Sequence, residues 1–395
     1  MEEWKEYKLG EVAIPIRDKI DTSCLDSSSY ISTENMLPNK AGVTLSSGVP
    51  SGNAILFRNE DILISNIRPY FKKIWRADRE GGCSADVICL RASNDVEPLF
   101  LYYLLRQDSF FDYVMQGAKG TKMPRGDRNQ IMQWPVLLPS KSEQQKIASI
   151  LLALDDKIEV NRQINDNLEQ QAQALFKSWF VDFEPFKNGE FIETEQCRIP
   201  KGWNAGSLED ITTQKAERVG DRDDVKVLSP VTTGQLMLSE EYFTKQVFSE
   251  SIAKYKVVEI GDFAYNPARV NIGSLGRNNY DFDGCVSPVY VVFSCKDGYA
   301  HLFDLYRKTE KFKTEVNLRA IGGVRQSLNY KDFAYIHCII PPLNVVEKFN
   351  ALYEHLLEMQ KHTEEENDRL ASLRDTLLPR LMSGELKVNE IENVI

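Results

Sequence analysis

The strongest constraint on this 395-residue chain is that it repeats itself. The opening phrase Trp4-Lys5-Glu6-Tyr7-Lys8-Leu9-Gly10-Glu11-Val12 returns as Trp203-Asn204-Ala205-Gly206-Ser207-Leu208-Glu209-Asp210-Ile211. Asp61-Ile62-Leu63-Ile64-Ser65, with Arg68 behind it, returns as Asp262-Phe263-Ala264-Tyr265-Asn266 with Arg269 behind it. Gly82-Cys83 matches Gly284-Cys285, and Leu99-Phe100 matches Leu302-Phe303. Gly120-Thr121-Lys122 matches Gly323-Val324-Arg325, and Leu138-Pro139 matches Ile340-Pro341, with the offset held between 199 and 203 throughout. Single matches of this kind are cheap; their colinearity at nearly constant spacing points to two copies of one structural unit.

Each copy has a globular part and a helix. Residues 1–140 and 188–341 carry β-branched and aromatic runs such as Ala54-Ile55-Leu56-Phe57 and Val289-Tyr290-Val291-Val292-Phe293, separated by Gly, Asn and Asp turns. One helical stretch sits inside each, 99–115 and 301–317, so the class is α+β. Residues 141–187 and 342–395 read as two long helices. Ser142 supplies a cap for the first, and no Pro or Gly follows until Pro185. Alternating steps of four and three give Ile147, Leu151, Leu154, Ile158, Asn161, Asn165, Leu168, Ala172, Leu175 and Trp179. Adding 202 gives Phe349, Tyr353, Leu356, Gln360, Thr363, Asn367, Leu370, Arg374, Leu377 and Leu381. Both are heptad seams, apolar at the ends and polar in the middle. An antiparallel pairing would bring Asn165 and Asn367 together near the midpoint, where a buried Asn fixes register; the bland alternative leaves both in water. Trp179, Phe180, Phe183 and Phe186 crowd the end of the first helix, either as a partner surface or packed on the opposite helix or domain. Asp155-Asp156 reads as an exposed helical pair.

Seven scattered cysteines without a Cys-x-x-Cys spacing signal neither a disulfide framework nor zinc. The polar amino terminus and the lack of a long apolar run lead us to expect a cytoplasmic protein without a membrane anchor. No G-x-x-x-x-G-K-[ST] loop occurs, Gly117-Ala118-Lys119-Gly120-Thr121-Lys122 being too short, and the four histidines show no metal-ligand spacing. Neither Asn266-Pro267-Ala268-Arg269 nor Ser287-Pro288-Val289-Tyr290 makes a methyltransferase motif, and no acidic metal cluster for a nuclease can be assembled.

The net charge of −10 speaks against a partner as acidic as DNA until it is divided. Residues 342–395 carry −5 of it, while residues 1–140 and 188–341 are nearly neutral at −1 and −2. Within the first domain, Arg68, Lys72, Lys73, Arg76 and Arg79 are interleaved with Tyr70, Phe71 and Trp75, and Lys119, Lys122, Arg125 and Arg128 share a glycine-bearing loop. Such cations neutralise phosphates, and glycine lets a backbone approach closely. The aromatics are read as core or hairpin packing. The repeat aligns Arg68 and Arg76 with Arg269 and Arg277, and Lys122 with Arg325; Arg319 is a further candidate contact. Arginine bonds guanine in two places and Asn or Gln does the same to adenine, so Arg325, Gln326 and Asn271 are candidate base readers.

The whole domain–helix–domain–helix plan resembles the specificity subunits of type I restriction-modification systems. The resemblance rests on Pro139-Ser140-Lys141-Ser142-Glu143-Gln144-Gln145-Lys146-Ile147 at the first helix start. It rests also on Leu175-Phe176-Lys177-Ser178-Trp179-Phe180-Val181-Asp182-Phe183-Glu184-Pro185-Phe186 at its end, and on Leu377-Leu378-Pro379-Arg380-Leu381-Met382-Ser383-Gly384-Glu385-Leu386 at the end of the second. The second helix start departs from the pattern, reading Pro341-Pro342-Leu343-Asn344-Val345-Val346-Glu347-Lys348-Phe349 without Glu-Gln. The resemblance implies two target recognition domains, each reading half of a bipartite, asymmetric duplex DNA sequence, separated by two antiparallel coiled-coil helices that set the spacing. It implies docking of two methyltransferase subunits and, onto that core, motor-endonuclease subunits. No cofactor or catalytic residue is expected in this chain; S-adenosylmethionine, ATP and Mg2+ would belong to the partners. The competing reading is a coiled-coil adaptor between proteins with incidental DNA binding, which the acidity favours.

Overall fold

The computed structural model describes residues 4–195, 197–242, 249, 251–296, 298–320 and 327–391. The chain forms two compact units, Met1–Arg162 with Glu364–Ile395, and Gln163–Thr363. Each unit combines one globular domain with part of each long helix.

In the first domain an antiparallel sheet runs in the order Ala13–Pro15, Val87–Ala92, Ile62–Ser65, Ile74–Arg76. A second sheet orders Lys19–Asp21, Asn53–Phe57, Gly81–Cys83 and Tyr30–Ile31, the last pair parallel. Strand Ile62–Ser65 is buried along its whole length because both faces are covered. Ile62 and Ile64 join a core with the helical residues Phe100, Leu104 and Phe110, whereas Leu63 faces Phe57, Cys83 and Cys89. Alternation along a strand sorts its side chains into two cores. The second copy does the same: Phe263 and Tyr265 pack with Phe303, Phe312 and Phe333, and Ala264 with Leu228, Val258 and Val286. Its sheets order Thr212–Lys215, Val291–Cys295, Phe263–Tyr265, Leu275–Arg277, and Leu236–Leu238, Lys226–Pro230, Gly284–Val286, Lys256–Val258. The copies differ at the edge of the second sheet. The first domain adds Lys19–Asp21 beside Asn53–Phe57, and the second adds Leu236–Leu238 beside Lys226–Pro230.

The expected single helix in each domain is broken in two: Pro98–Arg106 and Asp108–Gln116, then Ala300–Tyr306 and Glu310–Arg319. Gln107 is extended between the first pair, and Thr309 caps Glu310–Arg319 by accepting from the Phe312 amide. A closing ladder, Lys5–Lys8 against Pro135–Leu138 and Asn204–Ser207 against His337–Ile340, then feeds each long helix.

The long helices span Lys141–Phe180 and Leu343–Met382. Ser140 precedes the first, so Ser142 lies within the first turn rather than capping it. The absence of Glu-Gln at the second helix start has a packing reason. Buried Gln144 donates to the Pro139 carbonyl and accepts from the Glu97 amide; its repeat counterpart Val346 is fully buried among apolar side chains. One copy anchors its helix by hydrogen bonds and the other by apolar contact.

The helices pair antiparallel within each unit. Seam residues Ile147, Leu151 and Leu381 are buried with Leu378 and Met382, and Leu377 is partly buried there. In the other unit Ala172, Phe180, Phe349 and Tyr353 are buried together, with Leu175, Trp179, Phe183, Phe186 and Leu356 packed on them. The aromatic crowd is therefore covered by Trp203 and Phe349 rather than open for a partner. Ile158 and Leu168 are buried, and Leu154 and Leu370 half-buried. The expected meeting of Asn165 with Asn367 is corrected: each has its partner within its own unit. Asn161 donates to Asn367 at 3.0 Å and to Glu366 at 2.7 Å, while Thr363 donates to Asn165. Asn161 and Thr363 are repeat counterparts, so the same contact is made twice. Asp155, expected to be solvated, accepts from Tyr103 and Arg106 at 2.7 Å each and from Arg374 at 2.6 Å. It ties the domain to both helices.

Candidate nucleic-acid interface

In the first domain the chain leaves strand Ile62–Ser65 through Asn66 and Ile67 and enters a tight turn at Pro69–Phe71. Arg68 and Lys72 flank that turn in the left-handed region, both with φ 51°. Residues 119–125 form a second loop, closed where Lys119 and Arg125 exchange backbone bonds of 2.9 Å. The two loops are joined. The Arg68 amide donates to the Pro124 carbonyl at 2.8 Å and the Gly126 amide to the Asn66 carbonyl at 3.2 Å. A Cβ on Gly126 would lie 2.8 Å from Asn66 Oδ1, so the absence of a side chain eases this approach. Two basic segments some fifty residues apart in sequence thus make one surface.

The cations on it are differently placed. Lys122 is exposed and makes no ion pair among the described residues. Lys119 pairs with Asp127 at 2.9 Å and Arg125 with Asp86 at 3.2 Å. The Lys119 and Arg125 side chains are 81% and 60% exposed, and solvent screens exposed pairs of this kind, so phosphate can displace the carboxylate at little cost. Arg128 donates to the Ala85 carbonyl. Lys72 shares Asp108 with Lys40; burial disfavours that carboxylate's charge, but the two lysines hold its pKa below the usual value. Lys73 donates to the Thr33 carbonyl at 2.7 Å, and burial together with Arg68 keeps its ammonium below the usual lysine value. Arg76 lies 3.5 Å from Glu60, and the Arg68 Nε is buried without a partner.

The second domain repeats the junction: the Leu328 amide donates to the Pro267 carbonyl at 3.0 Å, matching Gly126 and Asn66. Arg269 is exposed before the turn Val270–Ile272, which contains half-buried Asn271. Arg277 turns inward, its guanidinium bonding the Gly261 carbonyl and His301 Nδ1 while lying over the Phe263 ring. Arg319 pairs with Glu315 and bonds the Tyr335 carbonyl. Arg325 and Gln326 lie outside the described residues. The residue missed by sequence reading is Asn66, whose carbonyl receives the second loop; Gly126 was the available signal. Among the described residues no cluster of metal-ligating side chains occurs, and no helix is long and apolar enough to cross a membrane.

Residues 1–170 match the family model of the type I restriction modification DNA specificity domain. Among curated relatives, the type I restriction enzyme HindI specificity subunit of Haemophilus influenzae is 25% identical over 466 residues, covering 98% of this chain and 100% of its own. The MjaIX specificity subunit of Methanocaldococcus jannaschii is 29% identical over 304 residues, 74% of this chain and 70% of that one. The crystal structure of a type I restriction-modification S subunit from M. genitalium shares the fold, with TM-score 0.56 and 14% identity over 96% of each chain.

Proposed function

We propose that the chain is a specificity subunit of a type I restriction-modification system and that its two domains read the two halves of a bipartite DNA sequence. It is a non-catalytic DNA-recognition subunit that works in a complex with DNA and other subunits. The observation that carries the finer reading is the duplicated junction. In each domain the segment after the central strand is hydrogen-bonded to a distant loop, at Asn66–Gly126 and again at Pro267–Leu328. Sequences differ at the loop tips while the junction is kept, which suits two reading heads of one design and different specificity.

The candidate phosphate contacts are Arg68, Lys72, Lys73, Arg76, Lys119, Lys122, Arg125, Arg128, Arg269 and Arg319, Arg277 being withdrawn because its guanidinium is engaged inside the domain; Asn271, Arg325 and Gln326 are the candidate base readers. The paired helices set the separation of the half-sites and dock two methyltransferase subunits, to which motor-endonuclease subunits add. S-adenosylmethionine, ATP and Mg2+ act in those partners, and the complex works in the cytoplasm. The acidity of the chain makes its own hold on DNA weak and leaves much of the attraction to the partners.

Methylome sequencing of cells expressing this chain with its methyltransferase tests the reading. One motif with two specified halves and a fixed unspecified gap is expected. Methylation without a motif, or at an uninterrupted motif, refutes it.

A further inference from the structure

The loop over residues 119–125 is a narrow hairpin with a bare tip. The chain reverses over Thr121, Lys122 and Met123, all three exposed, and their side chains make no hydrogen bond or ion pair among the described residues. The cations at the base of the hairpin are engaged, Lys119 with Asp127 and Arg125 with Asp86. An exposed lysine or methionine is ordinary on a protein surface. What sets this pair apart is a braced hairpin beneath it and its place in the repeat. At the offset of 203 that carries Gly120 onto Gly323, Lys122 falls on Arg325 and Met123 on Gln326, the candidate base readers of the second domain.

The bracing comes from the core. Gly120 starts the reversal at φ 98°, in the left-handed region that favours glycine. Pro124, directly behind the tip, is buried, and its carbonyl accepts from the Arg68 amide at 2.8 Å. The returning limb is thereby fastened to the segment that leaves the wholly buried strand Ile62–Ser65. A tip held in this way loses little conformational freedom on binding.

Size decides where the tip can go. Two limbs at the usual strand spacing of about 4.8 Å, with their side chains, enter a major groove about 12 Å wide but not a minor groove of about 6 Å. Three residues from Lys119 to the tip span up to about 10 Å, which reaches the floor of a groove about 8.5 Å deep. Lys119 and Arg125 then face the phosphates at the rims.

We propose that Lys122 and Met123 are the base readers of the first domain, carried into the major groove by this hairpin, Lys122 on a guanine and Met123 on the methyl group of a neighbouring thymine. The inference rests on the DNA-recognition reading above and moves Lys122 from the phosphate contacts to the base readers. Guanine offers O6 and N7 to the ammonium, and thymine alone among the bases presents a methyl group there, which the thioether covers. A guanidinium and an amide at the matching positions, Arg325 and Gln326, change what the second head accepts.

The test uses the full chain assembled with its methyltransferase on duplexes bearing the motif found by methylome sequencing, altered one base at a time and titrated by fluorescence anisotropy. Uracil in place of thymine removes only the methyl group, and 7-deazaguanine in place of guanine removes only the N7 acceptor. In one half-site the wild-type complex should bind about fourfold more weakly with uracil at one thymine, and at least fivefold more weakly with 7-deazaguanine at an adjacent pair. Met123→Ala should abolish the uracil penalty and keep the other; Lys122→Ala should do the reverse. Neither should alter the penalties of the second half-site. If Lys122 held a phosphate, Lys122→Ala would weaken every duplex alike, lower the slope of log Kd against log salt by about one, and keep both penalties; that result overturns the proposal. So do penalties that both variants leave intact, or a wild-type complex indifferent to both modified bases. Those outcomes leave recognition of a bipartite duplex standing. A wild-type complex that prefers no bipartite duplex overturns the recognition reading and the assignment of the tip together.

Discussion

Asp155→Asn should destabilise the unit that contains it by about 2–4 kcal/mol. The carboxylate closes three hydrogen bonds of 2.6–2.7 Å, to Tyr103, Arg106 and Arg374. The Arg106 and Arg374 side chains are only 9% and 13% exposed, so removal of the countercharge strands the Arg106 guanidinium and leaves Arg374 only the exposed Asp375. Breaking a buried ion pair costs roughly 3–5 kcal/mol; the 24% exposure of Asp155 admits some water and lowers the figure. At about 2–4 °C per kcal/mol for a unit of this size, the melting temperature should fall by roughly 4–16 °C. Calorimetry of the full chain would show one transition moving and that of the Gln163–Thr363 unit staying. The repeat supplies the control. Asp155, Arg374 and Arg106 correspond to Leu357, Ala172 and Thr309, the first two of which pack in an apolar cluster. The triple substitution Asp155→Leu, Arg374→Ala, Arg106→Thr removes all three charges and should be milder than the single one, leaving only the Tyr103 hydroxyl unpaired. A single variant within 1 °C of wild type, or a triple variant worse than the single, would refute the reasoning.

Two further outcomes are expected. Burial, aided by Arg277, holds His301 below its ordinary value of 6.5 against the opposing pull of Glu354 and Asp304. The unfolded chain therefore takes up the proton first as pH falls, so this contribution is whole above about pH 6.5 and erodes below it. His301→Gln should flatten the pH dependence of the urea midpoint between about pH 7.5 and 5.5, and an unaltered slope would exclude His301 as its source. Gly126→Ala should cost about 1–3 kcal/mol, because its Cβ would crowd Asn66 Oδ1, Val114 and Ile131 at 2.8, 2.9 and 3.0 Å. Thermal denaturation checks this, and a variant as stable as wild type would show that the loops adjust freely.

The heptads were readable because a period of seven leaves its mark on one strand of sequence, and every seam position is buried or half-buried. Which residue faces which was not, since the pattern leaves the sliding of one helix along the other open in steps of a turn. That is why Asn367 meets Asn161 rather than Asn165. Asp155 looked solvated because Tyr103, Arg106 and Arg374 are remote in sequence; its apolar counterpart Leu357 was the overlooked signal of burial. For the interface, clustered charge identified the loops, but their joining at Asn66 and Gly126 is made by backbone atoms that no residue type announces. The inward turn of Arg277 was hidden for a related reason: its partner His301 belongs to the helix after the next strands.

The two units also differ in how the ribosome delivers them. Gln163–Thr363 is an unbroken run, complete once its last residue has emerged, whereas the other unit is assembled from both flanks of the chain. Its core of Leu9, Phe100 and Leu151 remains open on one side until Leu378, Leu381 and Met382 arrive, and Gly384 closes against Trp4. At about 5–20 residues per second, some two hundred intervening residues mean a wait of roughly 10–40 s with apolar surface uncovered. The domain made first is thus the last to be finished, and the closing stretch of helix is what the nascent chain must be protected for.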